Sequence, residues 1–145
     1  YEFYKKYSSY MTQDFKEYIE LMARESNAVP AKDAALVISW DEVLQRGLNQ
    51  ERFIQTYPDS TRVEQVKQLY KRYVSYIFSG LDNTPLFSYD TKTFKSEIKD
   101  SYLKVIEGEG DSQLRKDIAD FLTVLEKNND RLTDEVKSYL EKVNS

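Results

Sequence analysis

Carboxylates, lysines, tyrosines, serines and threonines are the side chains left for acid–base or nucleophilic chemistry here, because the sequence holds neither His nor Cys. That removes imidazole bases, thiol nucleophiles, disulfides and the usual zinc and iron–sulfur ligands. Tyrosine is the unusual count, 12 against a single Trp. It clusters at Tyr1, Tyr4, Tyr7 and Tyr10 and again at Tyr70, Tyr73 and Tyr76. A phenol offers a large contact area at low entropic cost, so tyrosines outside a helix's apolar stripe are candidates for binding. Tyr4, Tyr7, Tyr70 and Tyr73 lie on such stripes and are expected to pack, whereas Tyr10 and Tyr76 fall off them and are the candidate binding residues.

Two groups of acids stand close in sequence: Glu107, Glu109 and Asp111, and Asp130, Asp134 and Glu135. An EF-hand needs oxygen ligands at fixed alternate positions, a central Gly and a closing Glu, and neither group has that spacing. They read as cap and turn residues, with no metal and no cofactor expected. Asp82, Asn83 and Thr84 sit beside Leu86 and Phe87 in the longest non-periodic stretch. This stretch forms either one wall of a binding groove or a plug that seals one end of the fold, and its three polar residues join the binding candidates.

Met22, Ala23, Arg24, Glu25, Ser26 and Asn27 form a segment similar to the Glu-Ser motif of soluble lytic transglycosylases, all-helical enzymes that cleave peptidoglycan. The resemblance implies that Glu25 is a catalytic acid, placed in an apolar cleft that raises its pKa. The Gly-Leu-Met-Gln and aromatic-Asn-Ala-Gly segments of that family have no counterpart here. The plainer reading of Glu25 is a solvent-facing carboxylate near a helix end.

The elements that position these residues are helical. Only 4 Gly and 3 Pro punctuate 145 residues, a spacing that suits a few long helices in one domain, residues 1–145. Apolar residues recur every three or four positions from Tyr4 to Met22, predicting a helix from Tyr1 to about Glu25. Ser39 with Glu42 has the form of a capping box, so a second helix starts at Trp40; it runs toward Gly47 or on to Tyr57, with a kink at residues 48–50. Asp59, Ser60 or Thr61 caps a third helix, closed by Gly80 at a left-handed position. Asp90 or Thr91 caps a fourth that ends at Gly108, Ser112 a fifth closed by Asn128 and Asn129, and Thr133 a short last one. The expected fold is all-α, a compact bundle of five or six mostly antiparallel helices. Its core should hold Trp40, Leu69, Tyr73, Ile77, Phe94, Ile98, Ile118, Phe121 and Leu125.

A second likeness is carried by Phe53, Ile54, Gln55, Thr56, Tyr57, Pro58, Asp59 and Ser60, followed by Val63, Leu69, Tyr70 and Tyr73. Over these residues the chain resembles the helical-hairpin junction of tetratricopeptide-like repeats in bacterial cell-envelope scaffold proteins. An aromatic–Pro–polar turn ends one helix there and a Ser cap begins the next. The resemblance implies a helical hairpin and an envelope setting.

The net charge of −4 comes from 25 acidic residues interleaved with 21 basic ones. That distribution lacks the basic stripe a nucleic acid requires. The longest apolar run, Ala34 to Ile38, is far too short to span a bilayer. The chain begins at Tyr1, as a processed or cut-down piece does. These features, the Cys-free composition and the scaffold likeness together predict a non-enzymatic interaction module of a bacterial, extracytoplasmic protein, secreted or membrane-anchored. Its partner is a protein or a cell-envelope polymer. Two alternatives stay open: a peptidoglycan-cleaving enzyme using Glu25, and a cytosolic regulatory helical domain.

Overall fold

A computed structural model describes residues 11–145. Six helices run through it: α1 (Gln13–Asn27), α2 (Trp40–Thr56), α3 (Val63–Ser79), α4 (Ser96–Ile106), α5 (Gln113–Lys127) and α6 (Asp134–Asn144). Strands β1 (Ala31–Lys32) and β2 (Ala35–Leu36) form a small hairpin between α1 and α2. The fold is an all-α bundle, with α2 at its centre against α1, α3, α4 and α5.

Three caps work as their side chains dictate. The hydroxyl of Ser39 accepts from the Glu42 N–H, that of Ser112 from Arg115 N–H, and that of Thr133 from Val136 N–H. Each satisfies one of the donors a helix N-terminus leaves open. Gly80 closes α3 with φ at +67°, and a Cβ there would lie 2.8 Å from the Thr84 carbonyl oxygen.

The main core joins α2 to α6 around an aromatic nest. Phe94 lies edge-on to Phe121 at 5.5 Å and tilts against Tyr102 at 5.6 Å. The Tyr102 hydroxyl donates to the Ile77 carbonyl, which fixes α4 against α3. A second, smaller cluster holds α1: Tyr18 and Ile19 pack with Phe53 and Val66. All the predicted core residues are buried except Trp40, which is half-buried and meets Tyr102 edge-on at 6.2 Å from the bundle margin.

Several boundaries differ from the pattern in the sequence. Within the described residues α1 begins only at Gln13, because Thr12 is extended and acts as N-cap. The segment before α2 is not plain loop: Asp33 and Ala34 both take positive φ, 52° and 59°, and turn β1 back on β2. Helix α2 runs as one unbroken helix through residues 48–50 to Thr56. Helix α3 starts at Val63, with Arg62 at the N-cap; Ser60 stands two residues earlier and accepts from the Arg62 N–H instead. Helix α4 starts at Ser96 rather than after Asp90 or Thr91. Thr91 Oγ1 closes a turn with Ser88 Oγ at 2.6 Å, and residues 92–94 give their backbone groups to residues 130–132, so those groups cannot enter a helix.

Candidate functional site

Arg46 is the most buried charge among the described residues, 3% exposed. It arises on the apolar side of α2, one turn after Glu42, and its Nε donates to Glu42 Oε1 at 2.8 Å. Its Nη1 reaches α1, donating to the Ala28 carbonyl at 2.8 Å and to Glu25 Oε1 at 3.2 Å. The Tyr73 hydroxyl, from α3, completes the group by donating to Glu25 Oε1 at 2.5 Å and accepting from Arg46 at 3.2 Å. Burial alone would lower the Arg46 guanidinium, but the hydrogen bonds to Glu42 and Tyr73 outweigh it and hold the group above its ordinary value. Burial, with the Glu25 hydrogen bond behind it, pushes the Tyr73 phenol up.

Glu25 is therefore not solvent-facing: its side chain is 13% exposed. Its surroundings are a guanidinium and a phenol rather than an apolar cleft, and chemically the group joins three helices through charge-assisted hydrogen bonds. Tyr76 differs from its expected role too. It is half-buried, with its ring edge-on to Tyr73 at 5.4 Å. Tyr10 lies outside the described residues.

Asp82, Asn83 and Thr84 are drawn together with the β-hairpin, not with Tyr76. The Asn83 N–H donates to the Ala34 carbonyl at 2.8 Å and its side-chain amide to the Asp33 carbonyl at 2.7 Å. Thr84 Oγ1 accepts from the Leu36 N–H at 2.9 Å. Asp82 is exposed. The apolar end of the same loop turns inward, where Leu86 and Phe87 join the main core.

Beyond them the loop also forms a wall. A groove of about 580 Å³ opens between the C-terminal turn of α3, residues 85–89, and α6. Phe78, Leu86, Phe87, Leu132 and Leu140 make its apolar lining, and Lys92, Lys137 and Glu141 stand in it as charges. The Asn144 amide donates to Ser79 Oγ at 3.0 Å and ties the end of α6 to the end of α3. Tyr89, 71% exposed, stands at the rim with Lys92 Nζ 5.8 Å from its ring centre. Among the described residues neither Lys92 nor Lys137 has a carboxylate within ion-pairing distance.

The acidic groups serve turns and caps. Asp130 pairs with Lys99 at 2.7 Å, Glu135 with Lys127 at 2.9 Å, and Asp111 with Lys116 at 3.2 Å. Among the described residues no cluster of acids is arranged to hold a metal ion, and no helix is long and apolar enough to cross a membrane.

Sequence reasoning missed Arg46, Glu51 and the α3–α6 groove. Arg46 and Glu51 did leave a signal: both are charges on the buried side of α2, among Val43, Leu44, Gly47 and Leu48. Of the groove only one wall was legible, the stretch with Leu86 and Phe87 expected as a groove wall or a plug; its other walls come from α3 and α6, separate stretches of chain. Comparison of the chain with family models, with curated proteins and with solved structures gave no match.

Proposed function

We propose that this domain is a non-enzymatic interaction module of an extracytoplasmic bacterial protein, and that it holds a partner protein through the groove between α3 and α6. The observation that carries this reading is an apolar recess of about 580 Å³ beside an exposed tyrosine and two lysines that have no carboxylate partner among the described residues. Recesses of this size with a few polar groups at the rim are where proteins take up ligands and anchor side chains. The extracytoplasmic setting is supported by the Cys-free sequence and by the envelope-scaffold likeness of residues 53–73.

Panning a phage-displayed library of random dodecapeptides on the immobilised domain tests the binding reading. The enriched peptides should bind the Tyr89→Ala/Lys137→Glu double variant at least about tenfold more weakly, with an unchanged melting temperature, since both residues are exposed. Failure to enrich any peptide, or equal binding to both proteins, overturns the reading. Fractionating cells that express the whole gene product tests the compartment; recovery in the cytosol alone overturns that part.

A further inference from the structure

One wall of the groove has the backbone layout of a sheet margin. Phe87 faces Phe94 across an antiparallel bridge, and the hydrogen bonds of that bridge come from its flanking residues. Ser88 N–H donates to the Thr93 carbonyl at 2.9 Å, and Lys95 N–H to the Leu86 carbonyl at 3.0 Å. In such a ladder the facing residues themselves turn their N–H and C=O outward. The outward N–H of Phe94 is taken by the Asp130 carbonyl at 2.7 Å, and the Lys92 carbonyl by Leu132 N–H at 2.8 Å. Residues 92–94 are thus paired on both sides.

Phe87 is paired on one side only. Among the described residues its N–H donates no hydrogen bond and its C=O accepts none, although the residue is only 9% exposed. An open donor and acceptor at such low exposure are uncommon, and on a strand margin they form a template for another strand. Phe87 also lines the apolar groove.

We propose that this margin receives an extended peptide segment of a partner protein. The segment pairs with the Phe87 main chain, sets alternate apolar side chains into the groove, and carries an acidic residue toward Lys92 and Lys137. Main-chain pairing with pockets for alternate side chains is the strand-addition mode of peptide recognition. A helix laid in the same groove would leave the Phe87 groups unpaired, and the two lysines favour an acidic segment over a basic one, with Glu141 the one opposing charge in the lining. The inference rests on the groove being the binding site, as argued above.

The test begins from the peptides enriched by panning and replaces each backbone amide in turn by its N-methyl form. Strand addition predicts a loss of about tenfold at the one position whose amide donates to the Phe87 carbonyl, with its immediate neighbours tolerant. It also predicts that the Phe87 amide becomes protected from hydrogen exchange on binding. The Lys92→Glu/Lys137→Glu variant should shift the panned consensus from acidic to basic flanking residues. A loss that recurs every three or four positions, uniform tolerance of N-methylation, or an unprotected Phe87 amide overturns strand addition while leaving the groove as the binding site. Failure to enrich any peptide overturns both.

Discussion

Glu51, on α2, accepts the backbone N–H of Leu114, in the first turn of α5, on its Oε2 at 3.0 Å. Its other oxygen accepts from the Ser112 hydroxyl at 2.5 Å, and Tyr70 donates weakly to Oε2 at 3.4 Å. The residue is 7% exposed and adds, from a separate helix, a second cap beside that of Ser112, where the positive end of the α5 dipole meets it.

Replacing Glu51 with Ala should therefore strand a buried N–H and a buried hydroxyl, at a cost of about 3 kcal/mol. Glu51→Gln keeps the shape and loses the charge, and should cost about 1–2 kcal/mol. Urea unfolding of the two variants measures both. Equal stability of Glu51→Ala and the parent would show that the carboxylate contributes nothing to holding α5.

The second core cluster and the Arg46 group together hold α1, so α1 should open as a unit when Arg46 is removed. Arg46→Ala should cost about 3–5 kcal/mol, because Glu25 and Glu42 are left without their guanidinium. Hydrogen exchange should accelerate most in residues 13–27, more than in α5 or α6. Uniform acceleration across all six helices would count against α1 as a separate unit.

Stability should fall steeply in alkali. Burial holds the Tyr102 phenol well above its ordinary value of 10.0, and burial also raises Tyr70, Tyr73 and Tyr139. A raised value in the folded state means the unfolded chain loses the proton first. The stabilisation is thus complete below about pH 10 and is lost as the pH climbs toward the folded-state values. Tyrosinate absorbance and helical circular dichroism should change together above pH 10, and Tyr102→Phe should reduce the steepness. Tyrosine titration completed with the helices intact would refute this.

Ala34 sits at a φ of +59° in the hairpin turn, where a Cβ is unfavourable by roughly 1–2 kcal/mol. Glycine there costs about 0.5–1 kcal/mol in unfolded-chain entropy. Ala34→Gly should then raise stability by up to about 1 kcal/mol, read from the chemical midpoint. A loss of stability would mean that the alanine methyl makes a contact worth more than the backbone strain.

Helix positions were legible wherever the signal was local. Ser39, Ser112 and Thr133 capped as their sequence context indicated, and Leu114, Ile118, Phe121, Leu122 and Leu125 are all buried along α5. The reading failed where distant pairing decides. Asp90 and Thr91 are sound caps by type, yet residues 92–94 are held by 130–132. Asp33 and Ala34 give no turn signature that glycine would have given, because the hairpin is held in place by Asn83. Tyr76 looked free of the apolar stripe and is half-buried by Tyr73, a contact that a periodicity count does not register.

The bonds from Asn83 and Thr84 to residues 33–36 also have a topological meaning. Leu36 leads into the start of α2 and Thr84 trails the end of α3, so the clasp joins the two free ends of that helix pair while the Pro58 turn joins the others. Nearly fifty residues become a closed ring, tied non-covalently in a sequence that has no thiols to cross-link. Closing so long a ring limits how far α2 and α3 can separate during fluctuations, so cutting the clasp should fray the pair from that end.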